Sequence, residues 1–131
     1  MNLSKFSDYA FRILIYLAKN QNKLCTVDEL ANKLEISEHH LKKIVHRLAK
    51  TEYIISSKGR NGGLKLGLNP SEINLGKILI ITEDSIVLSE CFSSANPNCT
   101  LRSECRLRGV LNGALRSFVN EVSKYTLEDI M

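Results

Sequence analysis

From Phe6 through Ala10, Ile13, Leu14 and Leu17, apolar residues recur at spacings of three and four. That is the signature of one buried helical face, so the chain opens on an amphipathic helix, capped by Ser7 and ending near Lys19. The polar run from Lys19 to Lys23 breaks the pattern. Thr26 and Glu29 then have the spacing of a capping box, and Val27, Leu30, Ala31 and Leu34 form the inward stripe of a second, shorter helix. Glu35-Ile36 makes a tight turn. Ser37 caps a third helix from Glu38 to Lys50, again with one apolar side, Leu41, Ile44, Val45 and Leu48. Two short helices joined by a tight turn read as a helix-turn-helix.

The period then changes from helical to alternating. Tyr53 to Ser57 and Leu64 to Leu68 bracket Lys58-Gly-Arg-Asn-Gly-Gly63, which reads as a β-hairpin with a basic, glycine-rich tip. A phosphate-cradling loop is excluded, because these glycines join two strands and lead into no helix. Directly after a helix-turn-helix, such a hairpin is a wing. Asn69-Pro70 closes it, Ser71 starts a short helical stretch, and Leu75, Ile78, Leu79, Ile81 and Ile86 to Leu88 form an apolar bridge to the cysteine-bearing segment. Residues 82–90 carry no assignable period.

From Glu104 onward, Leu107, Leu111, Ala114, Leu115, Phe118, Val119 and Val122 recur at helical spacing over more than four turns. This helix is long for the domain before it, and Gly109 and Gly113 permit close approach. Its stripe suits a partner helix, so the chain is expected to form a homodimer. Two-fold symmetry then implies an operator with inverted half-sites about one helical turn of DNA apart or more. The expected fold class is α+β, mainly α. A winged helix-turn-helix DNA-binding domain occupies 1–70, and a cysteine-bearing loop with the dimerisation helix occupies 71–131.

Charge sharpens this division. Residues 1–70 hold twelve Lys and Arg against six Asp and Glu, and 71–131 hold six against eight, which gives +6 and −2 within the chain total of +4. The basic half is the one that meets a polyanion. Off the apolar stripe of the third helix lie His39, His40, Lys42, Lys43, His46 and Arg47. Residues near the start of such a helix reach base edges in the major groove. The expected DNA contacts are therefore Ser37, His39, His40, Lys42 and Lys43 from the helix, with Lys58, Arg60 and Asn61 from the wing. Two adjacent histidines on this basic helix face read as DNA contacts rather than metal ligands.

Three of the four cysteines, Cys91, Cys99 and Cys105, fall in a Ser-, Asn- and Pro-rich stretch with no apolar face, separated by seven and five residues. Such a segment does not bury itself, and three thiols there suit a soft metal or an iron-sulfur cluster. The tight pairs of zinc ribbons and ferredoxins are absent, so a zinc site or a thiol switch stays open. Arg102, Arg106 and Arg108 surround the last two cysteines with positive charge that favours thiolate. Ser103 is placed to cap the long C-terminal helix, with Cys105 in its first turn. Cys25 lies outside the triplet and reads as a small buried apolar residue.

The run from Ala10 to Ala18, interrupted by Arg12, is too short to span a bilayer. With no secretory signal, the protein is expected in the cytoplasm with no membrane partner, and its cysteines are reduced or ligated rather than a disulfide framework. No nucleophile and base are paired by any motif, so an enzyme is not expected.

Leu3-Ser-Lys-Phe-Ser-Asp-Tyr-Ala10, Ile36-Ser37, the Lys58 to Gly63 wing, the cysteine triplet, Ser117-Phe118 and Tyr125-Thr-Leu-Glu-Asp129 together resemble the IscR/NsrR-type winged-helix regulators of bacteria over the whole chain. Asp8 matches the nitric-oxide-sensing branch. The resemblance implies a repressor whose operator affinity is controlled by an iron-sulfur cluster that reacts with nitric oxide. It implies a 4Fe-4S cluster, with 2Fe-2S as the alternative, held by Cys91, Cys99 and Cys105, with Asp8 of the partner subunit as fourth ligand. The residue-level alternative for Asp8 is an i,i+4 ion pair with Arg12, worth about 0.2–0.5 kcal/mol. IscR-type members place a histidine shortly after the last cysteine, where this chain has Leu107 and Arg108. The seven-residue gap between the first two cysteines also resembles the iron-responsive RirA members, which keeps iron level open as the signal.

Overall fold

The computed structural model describes residues 1–92 and 99–131. The Ser-, Asn- and Pro-rich part of the cysteine stretch, 93–98, lies outside the described residues. Helix α1 spans Lys5–Lys19, and its N-cap is Ser4, whose hydroxyl accepts from the Ser7 amide. Ser7 is therefore not the cap that the sequence indicates. It lies inside the first turn, fully buried, because a partner distant in the chain takes up its hydroxyl: Ser7 Oγ and Thr82 Oγ1 are 2.8 Å apart.

Helix α2, Val27–Leu34, starts at Thr26, which accepts from the Glu29 amide. The Glu29 carboxylate is held by Lys23 and by the Tyr16 hydroxyl, 2.8 Å away, and both draw its pKa down. Glu35 ends α2 in the left-handed region, φ 53°, and is the one non-glycine there among the described residues. Helix α3, Glu38–Ala49, starts from Ser37 and buries Leu41, Ile44, Val45 and Leu48, as its period requires.

Strands β1 (Ile54–Ser57) and β2 (Gly63–Leu66) pair antiparallel, with Ile54 opposite Leu66 and Ser57 opposite Gly63. Their connection turns at Gly59, φ 102°, a conformation that disfavours a side chain. On the hairpin's other edge, Leu64 pairs with Cys25, between α1 and α2. Cys25 is fully buried and burial pushes its thiol pKa up, in keeping with an apolar core role.

Helix α4, Leu75–Thr82, is capped by Asn74 and packs on α1. Helix α5, Arg106–Val122, crosses α4 so closely that a Cβ on Gly76 would meet Ser123 Oγ at 1.8 Å. After α5 the chain pairs with the start of α4: Leu75 N donates to Tyr125 O at 3.0 Å and Leu127 N to Ile73 O at 2.9 Å. Leu127, Ile73, Leu75 and Ile78 thereby join the core built by α1, α2 and α3. Among the described residues, no helix is long and apolar enough to cross a membrane.

Candidate DNA interface and cysteine cleft

With its apolar stripe committed to the core, α3 presents Ser37, His39, His40, Lys42 and Lys43 as exposed residues. Lys58, Arg60 and Asn61 are exposed at the hairpin tip. Helix and wing are adjacent, separated by a cleft of about 570 Å³ whose walls include Lys42 and His46 from α3 and Ile55 and Lys58 from the wing side. Lys42 and Lys58 thus face one groove, a cationic seat suited to a phosphate backbone. Lys42 also lies 3.2 Å from Glu38 across one exposed turn, a contact that contributes little. His40 differs from its neighbours, since its ring packs on Tyr9 of α1, centroids 6.1 Å apart.

Arg47, in the last turn of α3, is marked by the sequence only as lying off the apolar stripe. Its Nη1 donates to Asp84 Oδ1 at 2.8 Å and its guanidinium lies 4.3 Å from the Phe6 ring centroid. Nothing in the local pattern around Arg47 signals a partner 37 residues away.

Cys91 sits half-buried in a helical turn, Glu90–Phe92, with its sulfur 3.0 Å from Ser89 Oγ. Cys99 is exposed. Cys105 is itself the N-cap of α5, with no side-chain cap hydrogen bond. The expectation of a Ser103 cap with Cys105 in the first turn is thus corrected by two positions. The α5 amides and the dipole still favour negative charge beside the Cys105 sulfur.

A cleft of about 650 Å³ opens at this helix end, lined by Phe92, Cys105, Arg102, Arg106 and Arg108, among others. Arg108 lies 5.8 Å from the Phe92 ring centroid, linking the Cys91 turn to α5. Within the single chain, no three His, Cys, Asp or Glu side chains converge on one point among the described residues. Asp8 lies on α1, half-exposed, with Oδ2 2.8 Å from Arg12 Nη2. The donor chemistry nevertheless fits sulfur-ligated iron: soft thiols, one at a helix N-terminus, beside guanidinium groups that offset an anionic cluster.

A wing beside a basic, exposed recognition helix defines a winged-helix transcription regulator. The chain belongs to the Rrf2 family, described as iron-dependent transcriptional regulators, whose profile matches residues 3–131. Over its whole length, and over 90% of the relative, it is 42% identical to the HTH-type transcriptional regulator NsrR of Oceanobacillus iheyensis. Identity to NsrR of Bacillus subtilis is 36%, with the same coverage. Among solved structures, CymR, the global cysteine regulator of B. subtilis, superposes with a TM-score of 0.75 at 28% identity, covering 99% of this chain and 95% of that one. T. potens IscR shares the fold at a TM-score of 0.77 and 21% identity, covering 99% of this chain and 85% of that one. The chain is accordingly a transcription regulator and not an enzyme.

Proposed function

We propose that this chain is a cytoplasmic, homodimeric repressor whose affinity for an inverted-repeat operator is set by an iron-sulfur cluster, 4Fe-4S rather than 2Fe-2S, with nitric oxide as effector. Residues 1–70 read DNA and 71–131 sense and dimerise. Ser37, His39, His40, Lys42 and Lys43 meet the operator from α3, and Lys58, Arg60 and Asn61 meet it from the wing. Cys91, Cys99 and Cys105 would hold the cluster, with Asp8 of the partner subunit as the fourth ligand.

The observation that supports this most is a shared element. Cys105 is the N-cap of helix α5, which has no buried residue along its seventeen, although Leu107 and Val110 are apolar and more than 60% exposed. Apolar side chains left exposed on a helix in one chain are covered by another, so the element capped by a sensing thiol is also the one that a second copy packs against.

When bound, the cluster supplies iron that takes up nitric oxide. The chain supplies the readout. A carboxylate is a hard ligand, the weakest of the four proposed, and Arg12 stands 2.8 Å from Asp8 to receive it. With Asp8 engaged across the dimer, α1 of each subunit is tied to its partner's cysteine segment and the separation of the two α3 helices suits the operator. With Asp8 returned to Arg12, that tie is lost and DNA affinity falls.

Anaerobic purification tests the site. Brown protein with iron and acid-labile sulfide in proportion supports the reading, and colourless protein with stoichiometric zinc rejects it for a zinc or thiol-switched regulator. The family's description as iron-dependent favours a second reading, in which iron supply is the signal. In that case iron depletion alone weakens operator binding and nitric oxide adds nothing.

A further inference from the structure

Where α4 ends, three consecutive side chains reach into the DNA-reading half of the molecule. Thr82 Oγ1 meets Ser7 Oγ at 2.8 Å, Glu83 Oε1 accepts the Ser4 amide at 2.9 Å, and Asp84 Oδ1 accepts from Arg47 at 2.8 Å. The first two contacts fix the start of α1. The third reaches the recognition helix itself, in its last turn. Seven residues beyond Asp84 is Cys91.

A guanidinium that lies over an aromatic ring and bonds a carboxylate is held in a narrow range of orientations. Asp84 is 82% exposed, so this ion pair adds little to global stability. What it fixes is geometry. We propose that Arg47 is a positioning residue for DNA binding: through Asp84 it couples the orientation of α3 to the segment that leads to Cys91, within a single chain. The inference rests on α3 being the DNA-reading helix. It needs neither a bound cluster nor the partner subunit, and so adds an intrachain route to the one proposed across the dimer.

Coupling between two sites is reciprocal. If α3 orientation and the Cys91 segment share this contact, DNA that fixes α3 favours the closed Arg47–Asp84 pair and restrains the segment. The test uses the full-length, metal-free chain and a duplex recovered with the wild-type protein from a random-sequence pool. Alkylation of Cys91 by N-ethylmaleimide is followed with and without the duplex, and mass spectrometry separates it from the other cysteines. Binding isotherms over a range of salt are taken on the same samples.

Wild-type Cys91 is expected to react at least about fivefold more slowly on DNA, a typical lower bound for coupled sites. In Asp84→Ala and Arg47→Lys the rate becomes independent of DNA, with thermal unfolding unchanged. The Asp84 variant removes no cation from the protein, so loss of the DNA effect in it without a fall in salt slope separates positioning from a lost phosphate contact. A wild-type rate indifferent to DNA despite normal binding overturns the proposal. So does a DNA effect that survives in both variants, since that is simple shielding. Absence of any DNA binding overturns both this inference and the DNA-reading role of α3, and the isotherm reports that failure separately.

Discussion

Ser7 and Thr82, 75 residues apart, join hydroxyls across a fully buried contact between α1 and α4. Thr82 spends its single proton on the Ile78 carbonyl at 2.9 Å, so Ser7 is the donor to Thr82, and Ser4 Oγ donates to Ser7 at 3.2 Å. The three hydroxyls form one directed chain ending on the backbone of α4. The two ends of this contact are therefore unequal. Ser7→Ala leaves Thr82 with its carbonyl acceptor and costs about 0.5–1.5 kcal/mol, the net value of one hydrogen bond. Thr82→Val keeps the shape but strands the buried Ser7 donor, and costs about 1–3 kcal/mol. Urea unfolding of both variants checks the order.

The neighbouring Glu83 gives the molecule an acid-sensitive seam. Burial pushes its carboxyl pKa up, but hydrogen bonding, including that from the Ser4 amide at 2.9 Å, outweighs it and leaves the group below the ordinary carboxylate range. A depressed folded pKa contributes stability above the unfolded value, about 4.3, and loses it as pH falls through the folded value. The Tm gap between wild type and Glu83→Gln is expected to be widest above about pH 5 and to close on acidification. A gap that stays constant with pH assigns the loss to something other than ionisation.

Lys58 and Arg60 at the hairpin tip are exposed and make no ion pair among the described residues. If they meet phosphates, alanine at either weakens binding to every duplex alike and lowers the salt slope by about one. If His39, near the start of α3, meets base edges, His39→Ala changes sequence preference instead. Competition between selected and random duplexes distinguishes the two outcomes.

Leu107 and Val110 are exposed on α5 in the isolated chain, so replacing both with Glu leaves the core of that chain intact. The double variant is expected to be a folded monomer by light scattering, with wild-type helicity and far weaker operator binding. A double variant that stays dimeric removes α5 from the interface.

Legibility in the sequence tracks the features that local pattern encodes. The stripes Ala10–Leu17 and Leu41–Leu48 are readable because one buried face per helix sets their period, and the wing because alternation brackets a glycine-rich tip. The cap of α1 is not. Ser7 satisfies the local capping rules, but the cap is Ser4, and the Ser7 hydroxyl is taken up by Thr82, far along the chain. Ser103 is misplaced for a related reason, since α5 starts at Arg106 under a cysteine that makes no capping bond. The Arg47–Asp84 pair is invisible because charge pairing across 37 residues leaves no trace in spacing. In the candidate site, the cysteines and their arginines can be named from sequence, whereas the Phe92–Arg108 contact across the cleft requires the fold.

If an iron-sulfur cluster on Cys91, Cys99 and Cys105 governs operator affinity, titrating anaerobically purified protein with nitric oxide tests that control most directly. Visible absorbance and operator binding are followed in the same cuvette. The expected result is that the cluster absorbance bleaches and the duplex is released over the same range of added nitric oxide, and that Cys105→Ala protein shows neither change. Release of DNA without loss of absorbance, or bleaching that leaves affinity untouched, would contradict it.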